Sequence, residues 1–183
     1  MTDAHRCAGC TRLFYPHPGA MRCDAVIVTI TDATWTMLEK AARNRADATK
    51  GLGDRGGVGA KHDLYLKCLL GAAGEWAAAR ALGLPFDGKP FGLDVGPYNV
   101  RTRSKHEYEL IVQDHDLAHH PDVPYLLVTT EYDWRGLILR GWMTPAETRP
   151  EWRQEYGDYR SAFFVPQAEL HDLRRLPERR AIA

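Results

Sequence analysis

An α/β domain with one mixed sheet flanked by helices is what the sequence predicts, on three observations. Two long stretches, 33–50 and 63–83, carry apolar residues at three- and four-residue spacing, the signature of helices with a buried face. A run of short β-branched and aromatic segments follows them. One of these, "VPYLLVTTEY" (123–132), is apolar nearly throughout, as a strand covered on both faces must be. The chain has 183 residues, enough for one domain to bury a sizeable core without staples. Hydrophobic residues make up 44% and charged residues 26%, ordinary values for a soluble globular protein.

The first 24 residues read as an extension ahead of a single domain spanning 25–183. Cys7, Cys10 and Cys23, with His5 or His17, have the residue types of a small zinc site, because thiolates two residues apart chelate from one turn. No second CxxC follows at ribbon spacing, so a flexible extension is the reading preferred to zinc. The opening residues lack the apolar core of a signal peptide, and no apolar run reaches membrane-spanning length. A cytoplasmic protein with reduced cysteines is expected.

"AVIVTI" (25–30) predicts a strand, after which Thr31 or Asp32 caps a helix with Trp35, Leu38 and Ala42 on one face. "GLGDRGGVGA" (51–60) breaks that helix with five glycines, and no GK[ST] follows to make it a phosphate loop. In the second helix, Leu66, Leu69, Ala73, Trp76 and Ala77 form one stripe and Leu64, Cys68, Gly71, Glu75, Ala78 and Leu82 another. A helix apolar nearly all round is buried. Glu75 therefore needs a cation or a partner, for which Arg80 and Arg101 are the candidates. Gly71 and Gly74 predict close approach of another backbone.

"YNVRTR" (98–103) and "EYELIVQ" (107–113) are expected to form a hairpin through Ser104–His106. The His- and Asp-rich "QDHDLAHHPD" (113–122) reads as a solvated loop, with metal binding the lesser alternative. Strands at 123–132 and 135–143, a short helix near 145–156, a strand ending at Pro166 and a closing helix at 167–176 complete the order.

Glu75 in a small-residue helix, then "LGLPFDGKPFG" and "DVGPYNVRTR" opening strands, resembles the PD-(D/E)xK nuclease-like superfamily. The likeness covers roughly residues 62–175 and extends to small bacterial and phage proteins with a "GE.A...LG" helix and a terminal "VP...L". It implies a restriction-endonuclease-like fold and phosphodiester hydrolysis assisted by Mg²⁺ or Mn²⁺. It implies that Glu75 is the helix acid and Asp94 the first signature acid. Asn99 stands where the second acid is expected and Arg101 where the lysine is expected. Glu75, Asp94 and Asn99 would then be the metal ligands, with Arg101 gripping the phosphate and Lys105 a candidate for the missing lysine. The two departures weaken that chemistry. Asn99 removes one negative charge from a site that must hold a dication. Arg101 cannot deprotonate, so it can clamp an anion and cannot act as a base.

Alternation along a strand puts Asn99, Arg101 and Arg103 on one face. Arg101, Arg103 and Lys105 are thus candidate nucleic-acid contacts, although a basic run is more often plain solvation. Lys+Arg and Asp+Glu are 24 each, so net charge does not point to a polyanion. Three readings follow: a metal-dependent nuclease with a variant site, acting on nucleic acid and as a possible homodimer; a catalytically degenerate nucleic-acid-binding module on the same fold; and an accessory phage-type protein whose acid and arginine form a buried ion pair.

Overall fold

The computed structural model describes residues 26–49, 61–130, 134–156 and 160–177, preceded by two short paired strands, β1 (His5–Arg6) and β2 (Leu13–Phe14). Cys7, Cys10 and Cys23 lie outside the described residues. The domain begins with β3 (Val26–Thr29) and α1 (Asp32–Thr49). The Thr31 hydroxyl accepts the Thr34 N–H at the helix start, which is the cap expected from the sequence. The second helix, α2 (Lys61–Leu82), leads through a loop into β4 (Asn99–Arg103). Then follow β5 (Leu110–Gln113), α3 (Asp114–His119), β6 (Tyr125–Thr130), β7 (Gly136–Met143), β8 (Arg153–Tyr156) and β9 (Arg160–Val165).

These strands form a mixed α/β architecture with two sheets where one was expected. The larger has the order β3-β7-β6-β4, and the second has the order β5-β9-β8. In the larger sheet β6 pairs parallel with β4 and antiparallel with β7. All six residues of β6 are buried, in line with the interior position that its apolar run predicts.

The layers follow from strand alternation. Val100, Leu126, Val128, Leu137 and Leu139 face the helices, packing with Leu38, Ala42, Leu69, Ala73 and Ala77. Tyr125, Leu127 and Met143 face the other way, packing on Leu110, Val112, Phe163 and Val165 of the second sheet. The order is therefore helices, sheet, sheet. The Ser104–His106 hairpin does not form. β4 joins β6, whereas β5 crosses to the other layer and pairs with β9. Alternation explains why: Leu110 and Val112 are fully buried, which the outer edge of β4 could not provide.

Three other expectations are corrected. The segment 145–156 holds two single turns of 3₁₀ helix, Pro145–Glu147 and Pro150–Trp152, and then the strand β8. The closing helix is replaced by 3₁₀ turns at Gln167–Glu169 and Leu173–Arg175. Between them the backbone of His171 bonds in both directions with that of Trp142. Gly141 makes this possible: its φ is +148°, and a β-carbon there would lie 2.5 Å from the His171 carbonyl oxygen. Finally, the solvated loop at 113–122 contains the helix α3.

The two glycines of α2 have different reasons. A β-carbon on Gly74 would lie 1.8 Å from the Thr102 hydroxyl oxygen, so this is where α2 closes on β4. The neighbour is a side chain, not the backbone expected. Gly71 is not crowded: its nearest neighbour would be the Arg45 guanidinium at 3.8 Å. Gly74→Ala should therefore cost about 1–3 kcal/mol through overpacking. Thr102→Ala in the same chain should recover part of the loss. Urea denaturation of the two variants checks this, and an undiminished midpoint in Gly74→Ala would contradict the close approach.

Candidate functional site

The residues singled out by the sequence lie around β4, the edge strand of the larger sheet, and the strand divides them. Val100 and Thr102 point to the helices, so Asn99, Arg101 and Arg103 point to the second sheet. Glu75 approaches from the helix side. Asp94 stands at the start of the strand, where the two faces meet.

Glu75 is one of the few buried charged residues, and its partner is Arg45 of α1, where Arg80 or Arg101 was expected. The guanidinium takes both carboxylate oxygens, Nη1 to Oε1 at 2.6 Å and Nη2 to Oε2 closer still. Its Nε donates to the Gly88 carbonyl at 3.3 Å, so one side chain ties α1, α2 and the following loop together. The two side chains are 11% and 7% exposed. Burial raises the Glu75 pKa from 4.5 to about 7, with the Asp94 charge adding to the rise and Arg45 limiting it. Burial acts to lower the Arg45 pKa, but its bond and charge interaction with Glu75 hold it above the ordinary value. Without the arginine the carboxyl would be driven higher still; with it, Glu75 is divided between its two forms near neutral pH.

Asp94 has a different task. The Asn99 N–H goes inward to the Pro124 carbonyl, so the next N–H, that of Val100, faces the open edge of the sheet. Asp94 Oδ2 accepts it at 2.7 Å. A tight turn folds Asp94 back to do so, with Val95 and Tyr98 exchanging backbone bonds across Gly96, whose φ is +53°. Burial raises the Asp94 pKa. The Val100 N–H, Arg101 and Arg45 oppose the rise, and Asp116 adds to it. Asp94 is thus within electrostatic reach of groups on both faces.

On the second face, Arg101 donates through Nη2 to both Asp116 oxygens, at 2.7 and 2.8 Å, and its guanidinium lies 4.8 Å from the centre of the Tyr125 ring. Asp116 is buried and also accepts the Gln113 N–H and the Tyr125 hydroxyl, each at 2.9 Å. Burial raises the Tyr125 pKa, as does Asp116, so the phenol stays protonated and donates. Asn99, the cross-strand partner of Tyr125, acts against that rise.

Glu75 and Asp94 therefore come within each other's field, and Asn99 and Arg101 share the opposite face. Lys105 joins neither group. It follows β4 at the far end from Asp94, exposed, its ammonium 5.3 Å from the Tyr108 ring centre. Arg103 packs on the same ring at 4.7 Å. Beside them Ser104, Lys105, His106, Glu107 and Thr130 line a small pocket of about 100 Å³.

The oxygen donors expected to hold Mg²⁺ or Mn²⁺ do not fit a common ion. Both Glu75 oxygens are engaged by Arg45, and Asn99 lies on the opposite face of the strand beside Tyr125. Among the described residues no three His, Cys, Asp or Glu side chains gather as a metal-binding group. No helix among them is long and apolar enough to cross a membrane.

Two members of the cluster escaped the sequence reading. Arg45 continues the buried α1 stripe one turn beyond Leu38, Ala41 and Ala42, so an arginine at an apolar position was the available signal. Asp116 was hidden in a segment read as a solvated loop. Its position three residues after Gln113, where an acid caps a helix start, was the signal for α3. Comparison with protein-family models, curated proteins and solved structures finds no match.

Two predictions follow from the Arg45–Glu75 pair. Arg45→Ala leaves a buried carboxylate without its counter-ion and should cost about 3–5 kcal/mol, with a double-mutant cycle against Glu75→Gln returning a clear coupling energy. Urea denaturation at pH 7 measures both. The second concerns pH. A carboxyl whose folded pKa is raised contributes stability that is complete below its unfolded pKa and is lost as pH climbs through the folded one. The Glu75 contribution should thus fall between about pH 4.5 and 7. Glu75→Gln should flatten that part of the Tm profile, and parallel profiles for the two proteins would show that Glu75 does not titrate there.

Proposed function

We propose that the chain is a nuclease-like domain of PD-(D/E)xK type that binds nucleic acid without cutting it. The observation that carries this reading is the arginine fork on both oxygens of Glu75. A carboxylate held in this way is a structural counter-ion. Arg101 is likewise engaged, its Nη2 donating to both oxygens of Asp116.

Charge accounting supports the reading. Glu75, Asp94 and Asp116 face Arg45 and Arg101, so three carboxyl groups, one with its pKa raised to about 7, are already opposed by two permanent cations. At most one net negative charge remains, little to hold a dication against its hydration. Asn99 in place of an acid and Arg101 in place of a lysine both move the balance in that direction.

The surface suited to a polyanion is the turn after β4. Arg103 and Lys105 flank the Tyr108 ring, and cations set on an aromatic match both the phosphates and the bases of a single strand. Few contacts of this kind give non-specific, salt-sensitive binding with Kd of about 10⁻⁴ to 10⁻⁶ M at physiological salt.

Asp94 favours a second reading, the metal-dependent nuclease. It is a half-buried acid beside Glu75 with its pKa raised and has no fork of its own, and perturbed acids gather at catalytic sites.

One experiment separates the two. Supercoiled plasmid and single-stranded oligonucleotide are incubated with the protein in Mg²⁺ or Mn²⁺, and binding to the oligonucleotide is followed by fluorescence anisotropy over a salt series. We expect no nicking, and binding whose salt slope drops by about one for each of Arg103→Ala and Lys105→Ala. Metal-dependent nicking that disappears in Asp94→Ala would establish the nuclease instead. Absence of both nicking and binding would leave the accessory-protein reading.

A further inference from the structure

We propose that His115 and His119 form a two-point site for a borderline divalent transition-metal ion, such as Zn²⁺, Ni²⁺ or Cu²⁺, on the outer face of α3. The site is independent of Glu75 and Asp94 and does not rest on the nucleic-acid reading.

The two histidines are four residues apart on one helix, the spacing that stacks side chains over successive turns. Both are exposed, and their ring centres are 4.4 Å apart with the planes inclined at 49°. Two imidazoles that close can each place a nitrogen about 2.0–2.1 Å from a common ion with small adjustments of their χ angles. Neutral imidazole suits these borderline ions and is a poor ligand for Mg²⁺. His120 follows immediately, at the helix end with φ −137° and ψ 46°, and so leaves the helical face. Asp114 is occupied, its Oδ2 accepting Arg153 and Ser161. Among the described residues no third side chain completes the set. Two protein ligands then leave the other positions to water or to a donor from another molecule.

The backbone that carries the pair is unusually well fixed for a six-residue helix. Asp116, between the two histidines in sequence, is buried and holds Arg101, Tyr125 and the Gln113 N–H. Metal binding therefore has little backbone to order, which favours affinity. It also clips the two turns of the helix that carries Asp116, so occupancy should stabilise the Arg101 face of β4. Binding requires deprotonated imidazoles and weakens in acid.

The test is titration of the full-length protein with NiCl₂ by isothermal calorimetry and by thermal melting at neutral pH. Wild type is compared with His115→Ala, His119→Ala, His120→Ala and a Cys7→Ser/Cys10→Ser variant. Both histidine targets are exposed, and circular dichroism checks that each variant is folded. We expect a saturable site and a raised Tm in wild type. Affinity should fall about a hundredfold in either His115→Ala or His119→Ala, because a single imidazole loses the chelate. It should be unchanged in His120→Ala and in the cysteine variant. Absence of saturable binding, binding indifferent to both His115→Ala and His119→Ala, or binding abolished by the cysteine changes alone would each overturn the proposal.

Discussion

The Arg45–Glu75 pair is the contact on which this architecture turns. α1 and α2 are separated by a glycine-rich stretch, and the loop after α2 must deliver Asp94 to the sheet edge. One guanidinium reaches all three: both oxygens of Glu75 on α2 and the Gly88 carbonyl in the loop, from its own place on α1. Gly71 lies 3.8 Å from that guanidinium, measured from where its β-carbon would be, so the small residue gives the head group room. A buried ion pair of this kind adds little net stability compared with apolar residues of the same shape. Its effect is specificity, because any arrangement of the two helices that separates the partners strands a charge in a low-dielectric interior.

The same device recurs across β4. Arg101 and Asp116 tie the edge strand to α3, with Tyr125 filling the space and donating to the acid. Asp94 completes the set by covering the open N–H of Val100. An exposed edge strand invites pairing with another chain, and proteins commonly block it with charge or by covering it. Here a half-buried carboxylate does so at the start of the strand, and the helix-side and sheet-side ion pairs meet around it.

How much of this the sequence disclosed depended on whether the signal was local. The β6 run, the α1 cap and the suspicious burial of Glu75 are local patterns, and each has its counterpart in the structure. The identity of the Glu75 partner was not local. Arg45 is thirty residues away, and only tertiary packing selects it over Arg80 or Arg101. The second sheet was missed because β5, β8 and β9 are four to six residues long and β5 joins β9 across a large separation, which short-range alternation cannot encode. The hairpin expectation failed for the same reason: Ser104–His106 looks like a turn, but the burial of Leu110 and Val112 decides where β5 goes. α3 was obscured by composition, since its His and Asp residues read as solvated while Asp116 alone turns inward.

Asn99 and Arg101 are best understood together with Asp116. An arginine at 101 is a permanent cation on a half-buried face and must find an anion. Asp116 supplies it, and in doing so becomes the acid on this side of the strand. With the acid supplied from α3, position 99 needs no charge of its own, and a neutral amide sits beside the Tyr125 phenol. A glutamate there would place a second carboxylate against the same phenol and Asp116, raising the cost of burial on both. Asn99, Arg101, Tyr125 and Asp116 are thus one mutually consistent set. Placing Glu at 99 and Lys at 101 would not by itself produce an open acid pair, because Asp116 would remain buried and would lose the guanidinium that neutralises it.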